Sequence, residues 1–274
     1  MIALYRQSWA CLRGNLWFYL LFAVLLVLRD QLPLSSRAAR LFLLLLLHST
    51  FVFGLHRHIL LGRSVIDVFE TRLAGKTRGG GKFFLLFLVF YGLSMAAGLV
   101  GYSALGPEQF SRTSFLPLFV PITLLTYGLI LVLFGTAMPA YVAGGRFGIG
   151  ATFGRIRATA LPVLGGLLIG PGLFSIAGIA VGVAVIAGLA LLPGADWSSW
   201  PLLPVAWLLR GFFSLFGLFS TTLAVVVLCN AYRKAAPDWL LAAPAVSGQN
   251  PLEKSGIPAS PSPLWAGNLP AFAK

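Results

Sequence analysis

The sequence is poor in acid. Only seven of its 274 residues are Asp or Glu, and charged residues of both signs make up 10% of the chain, against about 25% in soluble domains. The seven are Asp30, Asp67, Glu70, Glu108, Asp196, Asp238 and Glu253, and none falls in the middle of a long apolar run. A proton- or sodium-coupled pump usually buries a carboxylate within the bilayer. The scarcity therefore counts against a coupled secondary transporter, though not against a passive or lipid-moving one. Cysteine is almost missing too. Cys11 and Cys229 are too few for a disulfide framework and read as small apolar helix residues. Histidine is confined to His48, His56 and His58. His48 and His56 are eight apart and share a helix face, but no second cluster of His, Cys or carboxylate supplies the remaining ligands. No metal and no other cofactor is expected.

What the chain has instead is oil. It is 58% hydrophobic, with a mean hydropathy of +0.89. A compact soluble domain of this size still shows roughly a quarter of its unfolded surface to water, too much for this composition. Backbone groups in lipid must be satisfied internally, so spanning elements are helices or closed barrels. Barrel strands alternate apolar and polar residues, whereas these runs are apolar throughout. The expected fold class is all-α: a polytopic transmembrane helix bundle of about six spans. A span needs about 20 apolar residues, and the candidates are 15–33, 41–61, 83–105, 115–141, 162–192 and 203–230. Residues 1–235 form the expected transmembrane domain. Residues 236–274 hold seven prolines among Ala, Ser and Gly and read as a disordered cytoplasmic tail.

The formal charge of +13 is explained by threading. Lys and Arg concentrate in cytoplasmic loops. With the N-terminus inside, only Arg29, Arg37, Arg40, Arg112 and Arg210 fall outside, leaving fifteen of the 20 Lys and Arg residues inside. Both termini are then cytoplasmic (N-in/C-in), and the expected location is the bacterial inner membrane, multi-pass. The basic segments face anionic lipid headgroups and require no nucleic acid. Candidate headgroup contacts are Arg57, Arg63, Arg72, Arg155 and Arg157. Residues 63–75 place Val65, Phe69 and Leu73 on one face of a short amphipathic surface helix. Residues 144–161 read as a second basic, glycine-rich inner loop. The first run resembles a signal peptide only in part: its basic lead-in is long and "RDQLPL" separates it from the small residues of "SSRAA", so an uncleaved helix is expected.

Two constellations invite a functional reading. His48 lies about seven residues from the outer end of the second run, and Arg210 lies about as deep in the sixth. An ionisable group inside a membrane is a functional hypothesis by default, so the pair marks a candidate polar site. The competing reading leaves Arg210 at the surface and His48 neutral, bonded to a carbonyl or Ser. The fifth run contains Gly166 and Gly170, then Gly178 and Gly182, with Gly170-Pro171-Gly172 between them. Small residues four apart let helices approach closely in lipid, within the bundle or in a homo-oligomer. The Gly-Pro-Gly step offers a kink or hinge. The lead-ins "WACLRGNL" and "FGRIRATAL" also echo one another, which fits a duplication or shared interfacial physics. "GYSA" (101–104) looks faintly like a rhomboid-type nucleophile motif, but no His follows residue 58 to serve as its base. Glycines 148, 150 and 154 do not fit the dinucleotide fingerprint.

Three short motifs carry a resemblance: Trp9-x-x-Leu12-Arg13-x-Asn15, "HRHILLG" after the second run, and "PAYVAGGRFGIGATFGRIR" from Pro139 to Arg157. Over most of residues 1–235 the chain resembles uncharacterised six-span bacterial inner-membrane proteins akin to the membrane region of some glycerophosphoryl diester phosphodiesterases. The resemblance implies architecture and no activity, because the soluble catalytic domain of those phosphodiesterases has no counterpart here. Gly144 and Gly145 also stand where that group has an acid. The expected role is non-enzymatic: a scaffold or accessory protein in envelope or lipid homeostasis, in contact with anionic lipid or a protein partner. The alternative is a small transporter or lipid-translocating permease.

Overall fold

The computed structural model describes residues 1–31, 37–65, 80–104, 112–145, 148–190 and 204–236. Every regular element among them is helical. In chain order these are α1 (Ile2–Gly14), α2 (Leu16–Gln31), α3 (Arg37–Leu61), α4 (Gly80–Ser103), α5 (Arg112–Phe134), α6 (Ala137–Val142), α7 (Ile149–Leu167), a π-turn (Leu168–Gly172), α8 (Leu173–Ala190) and α9 (Pro204–Ala235). The chain divides into Met1–Pro237 and Asp238–Lys274. The second unit, which includes almost all of the expected tail, lies outside the described residues. So does the expected surface helix beyond Val65.

The chain is a multi-pass membrane protein by the length and apolarity of its helices. Ala38–Leu61, Gly80–Gly101, Gly150–Val185 and Trp207–Ala235 are each long and apolar enough to cross a bilayer. Ile2–Gly14 and Leu16–Arg29 meet at 82° and make a fifth span if counted together. The described residues thus give four to five spans where six are expected. The difference falls on 115–141, where the described apolar helix is the shorter Pro121–Phe134. Its expected single span is also broken, because α5 stops at Phe134 and α6 begins at Ala137. The cause is Pro139, whose ring would strike the carbonyl of Gly135 in a continuous helix. The chain turns there, and the Met138 N–H donates to Gly135 O at 3.2 Å instead.

The expected inner loop 144–161 is corrected as well: from Ile149 onward it is helix. Thr152, Thr159 and Val163 are buried on one face, a helical period that the glycines obscure. Gly150 and Gly154 stand in open space. The stretch Gly150–Val185 is 36 residues long, about 54 Å at 1.5 Å per residue. A hydrocarbon core is about 30 Å thick, so the stretch is longer than an upright span needs and has room for its basic first turns, with Arg155 and Arg157, outside the core.

α9 is the central post. It packs against α1, α2, α3, α6, α7, the π-turn and α8. Leu218, Leu223, Val226 and Cys229 are fully buried along it. Against α9 stands an aromatic cluster from α2 and α3. Phe18 stacks on Phe51 with centroids 5.3 Å apart, and Tyr19 meets Phe51 edge-on at 5.2 Å. The Tyr19 hydroxyl lies 2.7 Å from the Thr222 hydroxyl. Lipid offers no hydrophobic drive between helices, so such close contacts and buried hydrogen bonds hold the bundle together. α4 and α5 form the second close pair: a Cβ on Gly101 would lie 3.0 Å from Ile122.

Candidate functional site

One end of the bundle gathers the ends of seven helices. α3 terminates at Gly62, whose φ of +64° places it in the left-handed region that closes helices. Its N–H donates to His58 O at 3.0 Å. The His58 Nδ1–H donates to Arg63 O at 2.9 Å, and its Nε2 accepts from Asn15 Nδ2 at 3.2 Å. Asn15 Nδ2 also donates to Cys11 O at 2.9 Å, across the bend between α1 and α2. The Arg233 guanidinium of α9 donates to the Ile59 carbonyl, a cation on the carbonyl-rich end of α3. Asn230 Nδ2 donates to Gln7 Oε1 at 3.0 Å, fixing α1 to α9. The start of α4 joins through Phe83, edge-on to His56 at 5.7 Å and 6.3 Å from the Tyr141 ring of α6. The start of α7 joins through Arg155, whose guanidinium lies 5.6 Å from the Tyr232 ring centroid.

This arrangement collects exposed cations. Arg6, Arg13, Arg63, Lys82, Arg157 and Lys234 are all exposed, and all belong to the helix ends just described. α1 crosses this end at 82° to α2. It buries Ser8 and Cys11 and exposes Arg6, Trp9 and Arg13, the pattern of a helix lying along a membrane surface.

The expected headgroup contacts separate by position. Arg63 and Arg157 are exposed, and Arg155 is half-buried over Tyr232. Arg72 lies outside the described residues. Arg57 is drawn inside: it is 6% exposed, with its guanidinium 5.8 Å from the Phe53 ring centroid. The expectation of Arg57 at the headgroups is therefore corrected, and its neighbour His56 lies inside with it. Their turn of α3 is covered by α4, α6 and α9, which hydropathy alone does not reveal. His56 is fully buried and donates Nδ1–H to Val52 O at 2.8 Å.

His48 and Arg210 are not brought together as a pair. The His48 Nδ1–H donates to Leu44 O at 3.2 Å, within its own helix. Arg210 is exposed near the start of α9. All three histidines thus do one thing: each gives its Nδ1–H to a backbone carbonyl. Ser103 of "GYSA" likewise donates to Val100 O at 2.8 Å. Among the described residues no three His, Cys, Asp or Glu side chains cluster as metal ligands.

The glycine motif of the long helix faces inward along α9. A Cβ on Gly166 would lie 2.7 Å from Val227, one on Gly182 would lie 3.1 Å from Phe213, and one on Gly178 would collide with the Phe216 ring. Gly170 is closed by Leu4 of α1 and Leu223 of α9. The Gly170-Pro171-Gly172 step lies in a π-turn, Leu168–Gly172. Pro171 lacks the N–H that would bond the Leu167 carbonyl, and widening the turn absorbs the misfit. The loosened carbonyls find side chains. The Tyr5 hydroxyl donates to Ile169 O at 2.9 Å and sits 3.2 Å from Gly170 O. Ser220 lies 2.9 Å from Ser175 and 3.5 Å from Pro171 O. Tyr5, Ser175, Ser220, Asn230 and Tyr232 are the contributors that sequence reasoning missed. Their one visible signal is a polar group at helical spacing on otherwise oily helices.

A groove of about 220 Å³ lies beside this turn. α7 and the π-turn contribute Pro162, Gly165, Gly166 and Ile169, and α9 contributes Val227, Asn230, Ala231 and Lys234; Met1 and Leu4 of the α1 end complete it. Comparison with protein-family models, with curated proteins and with solved structures gave no match to this chain.

Proposed function

We propose that this chain is a non-enzymatic scaffold or accessory protein of the bacterial inner membrane, acting in envelope or lipid homeostasis. In this reading six spans thread the bilayer with both termini in the cytoplasm. The basic end of the bundle then rests on the anionic headgroups of the inner leaflet, and homo-oligomers or a protein partner assemble on that platform. One observation carries it: α1, α3, α4, α7 and α9 bring their exposed cations to a single end, braced there by hydrogen bonds and ring contacts. Juxtamembrane Lys and Arg contribute about 1 kcal/mol each near an anionic surface. The resemblance to the membrane region of glycerophosphoryl diester phosphodiesterases belongs to the same proposal, through the lead-in Trp9, Leu12, Arg13 and Asn15 and the Pro139–Arg157 segment.

The permease reading draws on the π-turn at Pro171. Against it, the carbonyls of that turn are bonded by Tyr5 and Ser220 and its glycines are closed by α9 and Leu4, which favours a fixed kink. The test is reconstitution of the full chain into nanodiscs of phosphatidylcholine alone or mixed with phosphatidylglycerol. The scaffold reading expects a higher unfolding temperature with the anionic lipid, lowered by salt, and reduced in an Arg13→Gln, Arg63→Gln, Arg157→Gln variant. Equal stability in both lipids would overturn it.

A further inference from the structure

The groove beside the π-turn is polarised along its length. Pro162, Gly165, Gly166 and Ile169 follow the spacing i, i+3, i+4, i+7, and so do Val227, Asn230, Ala231 and Lys234. Two helix faces therefore flank it over two turns, about 10 Å. They run antiparallel, because Gly166 packs against Val227 and Gly170 against Leu223. One end is thus closed by Ile169, Val227 and Leu4, all apolar. The other end carries Asn230 and the exposed ammonium of Lys234. The cationic end is also the end of the bundle that gathers Arg6 and Arg157.

Size narrows the occupant. Pockets that enclose a whole small-molecule ligand run from about 300 to 1,000 Å³, and this groove holds about 220 Å³. It suits a molecule that inserts one part and leaves the rest in the bilayer. The floor is made by an absence: a Cβ on Gly165 would meet nothing within 4 Å. Exposed Leu161, Leu164 and Leu168 continue an apolar path along the outside of the same helix.

We infer that the groove holds one anionic phospholipid, its phosphate at Lys234 and the first part of one acyl chain along Gly165, Gly166 and Ile169. The inference rests on the reading of the basic end given above and names the lipid class and the place where it is held. An ammonium at one end and an oily trough at the other match the two ends of that molecule. A zwitterionic lipid brings its own cation to Lys234 and is disfavoured, and a free phosphate leaves the trough empty.

The experiment is native mass spectrometry of the full chain in detergent, titrated with dioleoylphosphatidylglycerol, dioleoylphosphatidylcholine or glycerol 3-phosphate. The expected result is one phosphatidylglycerol retained at least tenfold more tightly than phosphatidylcholine, with no retention of glycerol 3-phosphate. Gly165→Leu starts from a position where a Cβ meets nothing within 4 Å, fills the trough and is expected to lose that lipid. Lys234→Gln changes an exposed residue, leaves the fold intact and is expected to abolish the preference for phosphatidylglycerol. Wild-type binding in both variants would overturn the groove while leaving the basic end as an anionic-lipid surface. No preference for phosphatidylglycerol in the wild type would overturn both readings.

Discussion

The hydroxyl of Tyr5 reaches across 164 residues of sequence to donate to the Ile169 carbonyl. It thereby fastens the amphipathic α1 to the one place where the long helix departs from α geometry. A tyrosine hydroxyl here gives a side-chain donor to a carbonyl of the π-turn. Tyr5→Phe keeps the ring and removes the bond. The expected cost is about 1 kcal/mol, and it falls locally. Hydrogen exchange in α1 and at residues 168–173 rises, while α3 and α4 remain as protected as before. Unchanged exchange at the π-turn would show that Tyr5 does not hold it.

Gly178 and Gly165 lie on the same long helix and have opposite surroundings. A Cβ at 178 collides with the Phe216 ring, whereas one at 165 meets nothing. Gly178→Ala is expected to destabilise the detergent-solubilised protein by about 1–3 kcal/mol, the usual cost of forcing atoms into a packed contact. Gly165→Ala is expected to be neutral or stabilising by up to about 1 kcal/mol, because alanine favours helix and no contact opposes it. Adding Phe216→Leu to Gly178→Ala recovers part of the loss. Equal effects at 165 and 178 in thermal unfolding would contradict the close approach of α8 and α9.

The long helices were legible in composition alone, because a run of apolar residues has one way to bury its backbone in lipid. Their positions held for α2, α3, α4 and α9 to within a few residues. Three features were not legible, each for a physical reason. The break at Gly135 comes from Pro139 acting on the carbonyl four residues earlier, inside a stretch whose hydropathy never falters. The helix from Ile149 hides behind glycines that look like loop until their buried partners are known. Arg57 looked like a surface residue because charge is normally excluded from an oily interior, yet three neighbouring helices cover its turn. His48 was visible as an anomaly. Its bond to the Leu44 carbonyl was one of the two readings left open there.

Gly62 ends α3 with φ +64°, and a Cβ there would touch nothing. The cost of substitution is therefore conformational, without steric conflict. Gly62→Ala is expected to destabilise by about 1–2 kcal/mol, the left-handed penalty for a residue with a Cβ. Gly62→Asn is expected to cost visibly less, because Asn tolerates this region. The same ranking is expected at Gly144, with φ +74°. Chemical denaturation in mixed micelles measures both series. Equal losses for Ala and Asn would mean that the turn is held by something other than its dihedral.

His48 tests the intramembrane pair directly. Its Nδ1–H is occupied by the Leu44 carbonyl, while Arg210 stands exposed on α9. Residues that share no partner contribute additively to stability within about 0.5 kcal/mol, whereas coupled ones deviate by about 0.5–3 kcal/mol. A double-mutant cycle with His48→Leu and Arg210→Leu is therefore expected to be additive. The single His48→Leu variant is expected to fold, because leucine at that place in α3 leaves no backbone group newly orphaned: the Leu44 carbonyl keeps its helical bond. Strong coupling between 48 and 210 would restore the polar site between α3 and α9 and, with it, the case for a transported solute.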